Sequence, residues 1–165
     1  MIFLTVGSEL PFNRLVQAVD QWCKINQYRD IFGQIGEPGP DGYRPHYFKW
    51  QEFISPDEYR RRYDEAELII SHAGMGSIIT ALVQAKPILI LPRRASLRET
   101  RNEHQVATAG YFSQREGILV AKDERIFHSI LDEWKTQRIS IKMKSAEPYA
   151  DERLIQTIRD FIQNK

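Results

Sequence analysis

Residues 68–91 read LIISHAGMGSIITALVQAKPILIL, and their order decides the fold. The first run, LIIS, is short and apolar, as a central strand of a parallel sheet must be when both of its faces are covered. It gives way to His72-Ala73-Gly74-Met75-Gly76-Ser77. From Ser77 onward Ile78, Ile79, Ala81, Leu82 and Ala85 recur at helical spacing, in a helix buried over much of its surface. Pro87 then marks the entry to a second apolar run, ILIL. Strand, glycine loop, helix and strand make one complete βαβ unit.

The same alternation extends in both directions. Upstream, IFLTVG predicts a first strand, and Phe12, Leu15, Val16, Val19, Trp22 and Cys23 predict a helix after it. DIFGQIG and HYFKWQEF predict two more strands, separated by the Gly- and Pro-rich loop EPGPDGYRP. Ser55-Pro56-Asp57-Glu58 combines an N-cap serine, a proline at the first helical position and a glutamate at the third, so a helix runs from there to about Glu67. Downstream, a loop from Pro92 to about Asn102 carries Arg93, Arg94, Arg98 and Arg101 against Glu99 alone, a local excess of three positive charges. A helix EHQVATAGYFSQ, a strand ILVA and a helix ERIFHSILDEWK follow. A closing helix from about Tyr149 places Leu154, Ile155, Ile158, Phe161 and Ile162 on one stripe, which serves either the core of this domain or the docking of a partner. The pattern predicts an α/β fold with a doubly wound, mainly parallel sheet.

Length and charge narrow the reading. The 165 residues, 42% of them hydrophobic, supply one well-buried core, so residues 1–165 are expected to form a single domain. With 23 basic and 22 acidic side chains the formal charge is +1, which removes the broad positive field that duplex nucleic acid would need. The lone Cys23 forms no intramolecular disulfide and fits a reducing compartment. MIFLTV lacks a basic leader, and no apolar run approaches the roughly 20 residues that span a bilayer. A cytoplasmic protein, able to reach a membrane through a partner, is the expectation.

In a doubly wound sheet, ligands bind beyond the carboxyl ends of the strands, where glycines let the backbone approach a phosphate and the next helix directs N–H groups at it. His72 to Ser77 occupies such a position, and so does Thr5-Val6-Gly7-Ser8. Both turns could face one diphosphate. Gly74 and Gly76 equally suit a tight turn and close helix packing. There is no G-x-x-x-x-G-K-[ST], and GMGSII has isoleucine where a dinucleotide fingerprint needs its third glycine. Ser77 lies outside any G-x-S-x-G elbow. His72 and His104 lie 32 residues apart without metal-ligand spacing, so no metal is expected. His72 either bonds across its loop or touches a ligand, and His104 either caps a helix or does the same. Glu103-His104-Gln105 offers the neutral polar groups and carboxylate that sugar or ribose hydroxyls require. The arginine loop is either a solvated surface or a counter-charge for a negatively charged donor or an acidic lipid surface.

TVGS near the start, LIISHAGMGSIITALVQAKPILILPR in the middle and NEHQ after it resemble the C-terminal domain of family 28 glycosyltransferases over about residues 1–135. The nearest resemblance is to stand-alone members, the donor subunits of two-part enzymes of dolichol-linked glycan, exopolysaccharide or capsule synthesis. It implies the nucleotide-sugar half of a GT-B enzyme, which binds a UDP-sugar as substrate and needs no separate cofactor. The acceptor half would lie on a membrane-anchored partner subunit, and the sugar would pass to a lipid-linked saccharide at the inner face of the membrane. By motif, Gly7, Ser8 and the Gly74-Met75-Gly76-Ser77 turn would face the diphosphate, with His72 near it; a base for the acceptor hydroxyl is expected on the partner, His72 being the one candidate in this chain. Glu103, His104 and Gln105 would border sugar and ribose, and Arg93 would offset the leaving-group charge without a metal. Many family members carry a glutamate for the ribose where this chain has Thr80, so ribose recognition would be weaker or would rest elsewhere, with Glu103 as a candidate. A tethering or regulatory subunit without chemistry of its own is the alternative.

Overall fold

The structure is a computed structural model that describes residues 1–7 and 10–137, and residues 156, 157, 159, 160 and 162 of the C-terminal segment. Those five are helical; Leu154, Ile155, Ile158 and Phe161 of the expected closing stripe lie outside the described residues.

Among the described residues six strands, β1 (Ile2–Thr5), β2 (Ile31–Gln34), β3 (Lys49–Gln51), β4 (Leu68–His72), β5 (Ile88–Leu91) and β6 (Ile118–Val120), form one sheet. Its order is β3-β2-β1-β4-β5-β6, and every pairing is parallel. The doubly wound α/β expectation is borne out. Chain direction across the sheet reverses between β1 and β4, which makes that gap the switch point where such sheets open a crevice.

Among residues 1–137 as described, five helices cover the two faces: α1 (Asn13–Asn26), α2 (Pro56–Glu65), α3 (Met75–Val83), α4 (His104–Phe112) and α5 (Glu124–Lys135). The strand period of two sorts side chains into two cores. Ile2, Leu4, Leu68, Ile70, Leu89 and Leu91 pack with Leu15, Val19 and Trp22 of α1 and with Phe127 and Leu131 of α5. Phe3, Ile69, Ile88 and Ile90 pack on the other side with Tyr63 of α2, Ile78 and Ala81 of α3, and Ala109 and Phe112 of α4. β1, β5 and residues 68–71 of β4 are buried, so these strands read in sequence as short, mostly apolar runs.

Local chemistry sets most element ends. Ser55 Oγ accepts from the Glu58 amide at 3.2 Å, with Pro56 at the first position of α2. Asp123 caps α5 by accepting from the Ile126 amide at 2.8 Å. The helix expected from Ser77 instead begins at Met75, because Gly74 takes extended N-cap angles (φ −87°, ψ 135°) and the chain coils directly after it. That helix is also less enclosed than its sequence implied: Ile78, Ala81 and Leu82 are buried, whereas Met75, Ile79 and Val83 are about half exposed along one row. The arginine loop contains a short 3-10 helix, Ala95–Leu97. A bidentate bond from Arg14 of α1 to the Glu99 carboxylate, at 2.6 and 2.8 Å, fastens that loop to α1. The loop before β3 is held by Asp20, which is 1% exposed and accepts from the Tyr43 hydroxyl and the His46 and Tyr47 amides. Among the described residues no helix is long and apolar enough to cross a membrane.

Candidate functional site

A cavity of about 500 Å3 opens over the carboxyl ends of β1 and β4, at the switch point. Its floor is Thr5, Val6 and Gly7; His72 and the Gly74-to-Ser77 turn form one wall, and Arg93, His104 and Gln105 another. Seven of the expected site positions around the glycine loop and α4, namely His72, Gly74, Met75, Gly76, Ser77, His104 and Gln105, thus come together in its lining.

His72 organises the floor. Its imidazole lies between two glycines: a Cβ built on Gly7 would stand 2.8 Å from the ring's Cε1, and one built on Gly74 would stand 2.2 Å from Nε2. Gly7 also has φ +82°, which side chains rarely adopt. Both glycines are therefore demanded by the histidine that the strand delivers. Gly76 differs, since a Cβ there would meet nothing within 4 Å. His72 Nδ1 lies 3.2 Å from Ser71 Oγ. Burial, helped by the charge of Arg93 and by His104, pushes the His72 pKa down to about 4, so the ring is neutral near pH 7.

The α3 N-terminus supplies the donors. An α-helix leaves its first amides without intrahelical partners, and here Ile78 is the first to bond back, to the Gly74 carbonyl at 3.1 Å. No side chain caps α3, in contrast to α2 and α5. The amides of Met75, Gly76 and Ser77 accordingly point their partial positive charge at the cavity. At α4 the first amide is already taken, by Asn102 Oδ1 at 3.1 Å, and the same oxygen bonds His104 Nδ1.

Other expected residues are placed differently. Arg93 lines the cavity but is 4% exposed. Its guanidinium donates to the carbonyls of Val6, Leu10, Pro11 and Glu99 at 2.5 to 3.4 Å and stacks 4.5 Å from the centre of the Phe12 ring. Its amide donates to Gln105 Oε1 at 3.1 Å. Arg93 is thus a rivet between the two rim loops that leaves a positive charge in the wall. Arg94 donates to the Lys122 carbonyl. Glu103 stands outside the cavity lining because the 3-10 turn brings the Ser96 amide to its Oε1 at 3.1 Å. Thr80 is likewise away from the lining, its hydroxyl turned back to the Gly76 carbonyl at 2.8 Å. Ser8 lies outside the described residues.

Two lining residues had no place among the sequence candidates. Gln34 ends β2, and Tyr59 projects from α2. Gln34 was legible in principle, since the end of a parallel strand beside the switch point faces the same crevice. Tyr59 had no such signal. Among the described residues no group of three or more His, Cys, Asp or Glu is placed to hold a metal ion.

The model of the glycosyltransferase family 28 C-terminal domain matches residues 1–164. The chain belongs to that family. The resemblance read over about residues 1–135 therefore extends to almost the whole sequence. The chain is 25% identical over 178 residues to the UDP-N-acetylglucosamine--N-acetylmuramyl-(pentapeptide) pyrophosphoryl-undecaprenol N-acetylglucosamine transferase of Christiangramia forsetii. That alignment covers 98% of this chain and 46% of the relative, so the chain spans about half of that protein's length. Among solved structures, MurG of Acinetobacter baumannii is similar with a TM-score of 0.64 at 18% identity, over 97% of this chain and 49% of that one. The solution structure of ALG13 is similar with a TM-score of 0.58 at 20% identity, over 95% of this chain and 93% of that one. These likenesses place the fold as a GT-B-type C-terminal half.

Proposed function

We propose that this family 28 domain is the donor-binding subunit of a two-part glycosyltransferase. It would hold a UDP-sugar while a membrane-anchored partner presents a lipid-linked saccharide acceptor at the cytoplasmic face. The observation that carries the reading is the uncapped α3 N-terminus opening into a switch-point cavity beside Gly76, whose missing Cβ leaves that approach clear. A diphosphate placed there would accept from the Met75, Gly76 and Ser77 amides. In the transfer, an acceptor hydroxyl attacks the anomeric carbon, the bond from that carbon to the diphosphate oxygen breaks, and UDP leaves with the electron pair. The α3 amides and the fixed charge of Arg93 stabilise the departing anion. His72, neutral and buried, orders Gly7 and Gly74 around the site. The proton from the acceptor hydroxyl is assigned to a base on the partner.

A second reading, a tethering or regulatory subunit, is favoured by the placement of Thr80 and Glu103. The carboxylate the family resemblance implies on α3 is replaced by a hydroxyl turned back on its own helix, and the alternative carboxylate is engaged by Ser96. Membranes carrying the partner, supplied with UDP-sugar and lipid acceptor, separate the two. Gly76→Asp in this chain abolishes transfer if the chain holds the donor and leaves transfer intact if it only tethers. Co-sedimentation with the membranes is unchanged in either case.

A further inference from the structure

The arginine loop lines a second cavity, of about 530 Å3, which adjoins the first through Arg93, His104 and Gln105. Its size falls within the range of small-molecule sites. Three side chains of fixed charge line it: Arg93, Glu99 and Arg101. The Glu99 carboxylate is bonded by the Arg14 guanidinium and, at 2.9 Å, by the Arg94 amide. Arg93 spends four N–H bonds on backbone carbonyls. Arg101 is exposed on the rim, and no described residue bonds or pairs with it.

The cavity thus holds one guanidinium, that of Arg101, which no described residue hydrogen-bonds, next to groups that suit hydroxyls. Thr100, Asn102 and Gln105 offer polar atoms, and Leu10, 55% exposed, offers an aliphatic wall. A pyranose has that complementary form, with hydroxyls at its edge and C–H groups on its face. A neutral hexose would leave the guanidinium unmatched. A carboxylate at C5 would meet it through two parallel N–H bonds, the geometry for which arginine is suited. The diphosphate has its own place at the α3 amides, around a cavity that Arg101 does not line.

We propose that the second cavity receives the donor's sugar, and that Arg101 selects a donor whose sugar is a hexuronate. The inference rests on the donor-binding reading above.

Calorimetric titration of the full chain tests it with UDP, UDP-glucuronate, UDP-glucose and UDP-N-acetylglucosamine, using wild type, Arg101→Gln and Arg98→Gln. Arg98 is exposed and lines neither cavity, so it controls for the general field of the loop. UDP-glucuronate is expected to bind wild type roughly ten-fold or more tighter than either neutral sugar nucleotide. Arg101→Gln should erase that preference while UDP affinity stays within about two-fold, and Arg98→Gln should preserve both. Equal or tighter binding of a neutral sugar nucleotide by wild type overturns the inference and leaves the donor reading standing. An equal loss for UDP and every UDP-sugar in Arg101→Gln assigns that residue to the diphosphate and also overturns it. The same loss of preference in Arg98→Gln overturns the cavity assignment. If UDP itself does not bind, the donor reading and this inference fall together.

Discussion

The His72 imidazole fills the space that a side chain on Gly74 would need: a Cβ there would lie 2.2 Å from Nε2. Gly74→Ala should therefore destabilise the protein by about 2 kcal/mol or more through overpacking. In a His72→Ala background the same change should cost much less, and urea unfolding of the four variants measures that coupling. Gly76→Ala is the contrasting case, because its Cβ meets nothing. Stability should stay within about 0.5 kcal/mol of wild type while affinity for a uridine diphosphate falls several-fold.

The His72 pKa gives a pH signature. Its folded value, about 4, lies below the ordinary 6.5, so the unfolded chain binds the extra proton between those values. Stability should rise with pH through that window and show no His72 contribution above it. The loss on acidification is of order 3 kcal/mol at most. Urea midpoints from pH 4 to pH 7.5 should flatten over the window in His72→Gln.

Which parts of this molecule can be read from its sequence follows from what each part depends on. β4 and β5 were legible because a strand covered on both faces must be largely apolar, and LII and ILIL are. The α2 start was legible because Ser55, Pro56 and Glu58 act locally. The α3 start lies two residues before the one the spacing predicts, since Gly74-Met75-Gly76 has loop composition and only the N-cap angles of Gly74 show that coiling has begun. His72, Gly76, Ser77, His104 and Gln105 met at one cavity because parallel topology carries all strand ends to one edge. Arg93 was indistinguishable from Arg94, Arg98 and Arg101 in sequence. Its burial depends on carbonyls from residues 6–11, more than 80 positions away, which local pattern cannot show.

That dependence makes Arg93 a stability position. Arg93→Leu would strip donors from four carbonyls and should cost about 3 kcal/mol or more, visible as a lower urea midpoint. Arg93→Lys should recover only part, since an ammonium does not reproduce the planar fork.

Asp20, on α1, is the equivalent anchor for the loop before β3. Asp20→Ala leaves the Tyr43 hydroxyl and the His46 and Tyr47 amides without their acceptor and should cost about 2–4 kcal/mol. The loop of residues 37–47 should exchange its amide hydrogens faster in hydrogen-exchange measurements. Affinity for UDP should be unaffected.

The most direct measurement is thermal unfolding of the wild-type chain and Gly76→Asp across a UDP titration. At a hundred-fold excess over the dissociation constant, UDP should raise the wild-type Tm by roughly 5 °C or more and leave that of Gly76→Asp unmoved. A wild-type Tm that stays constant up to millimolar UDP, or an equal rise in both proteins, would contradict a diphosphate seated on the α3 amides.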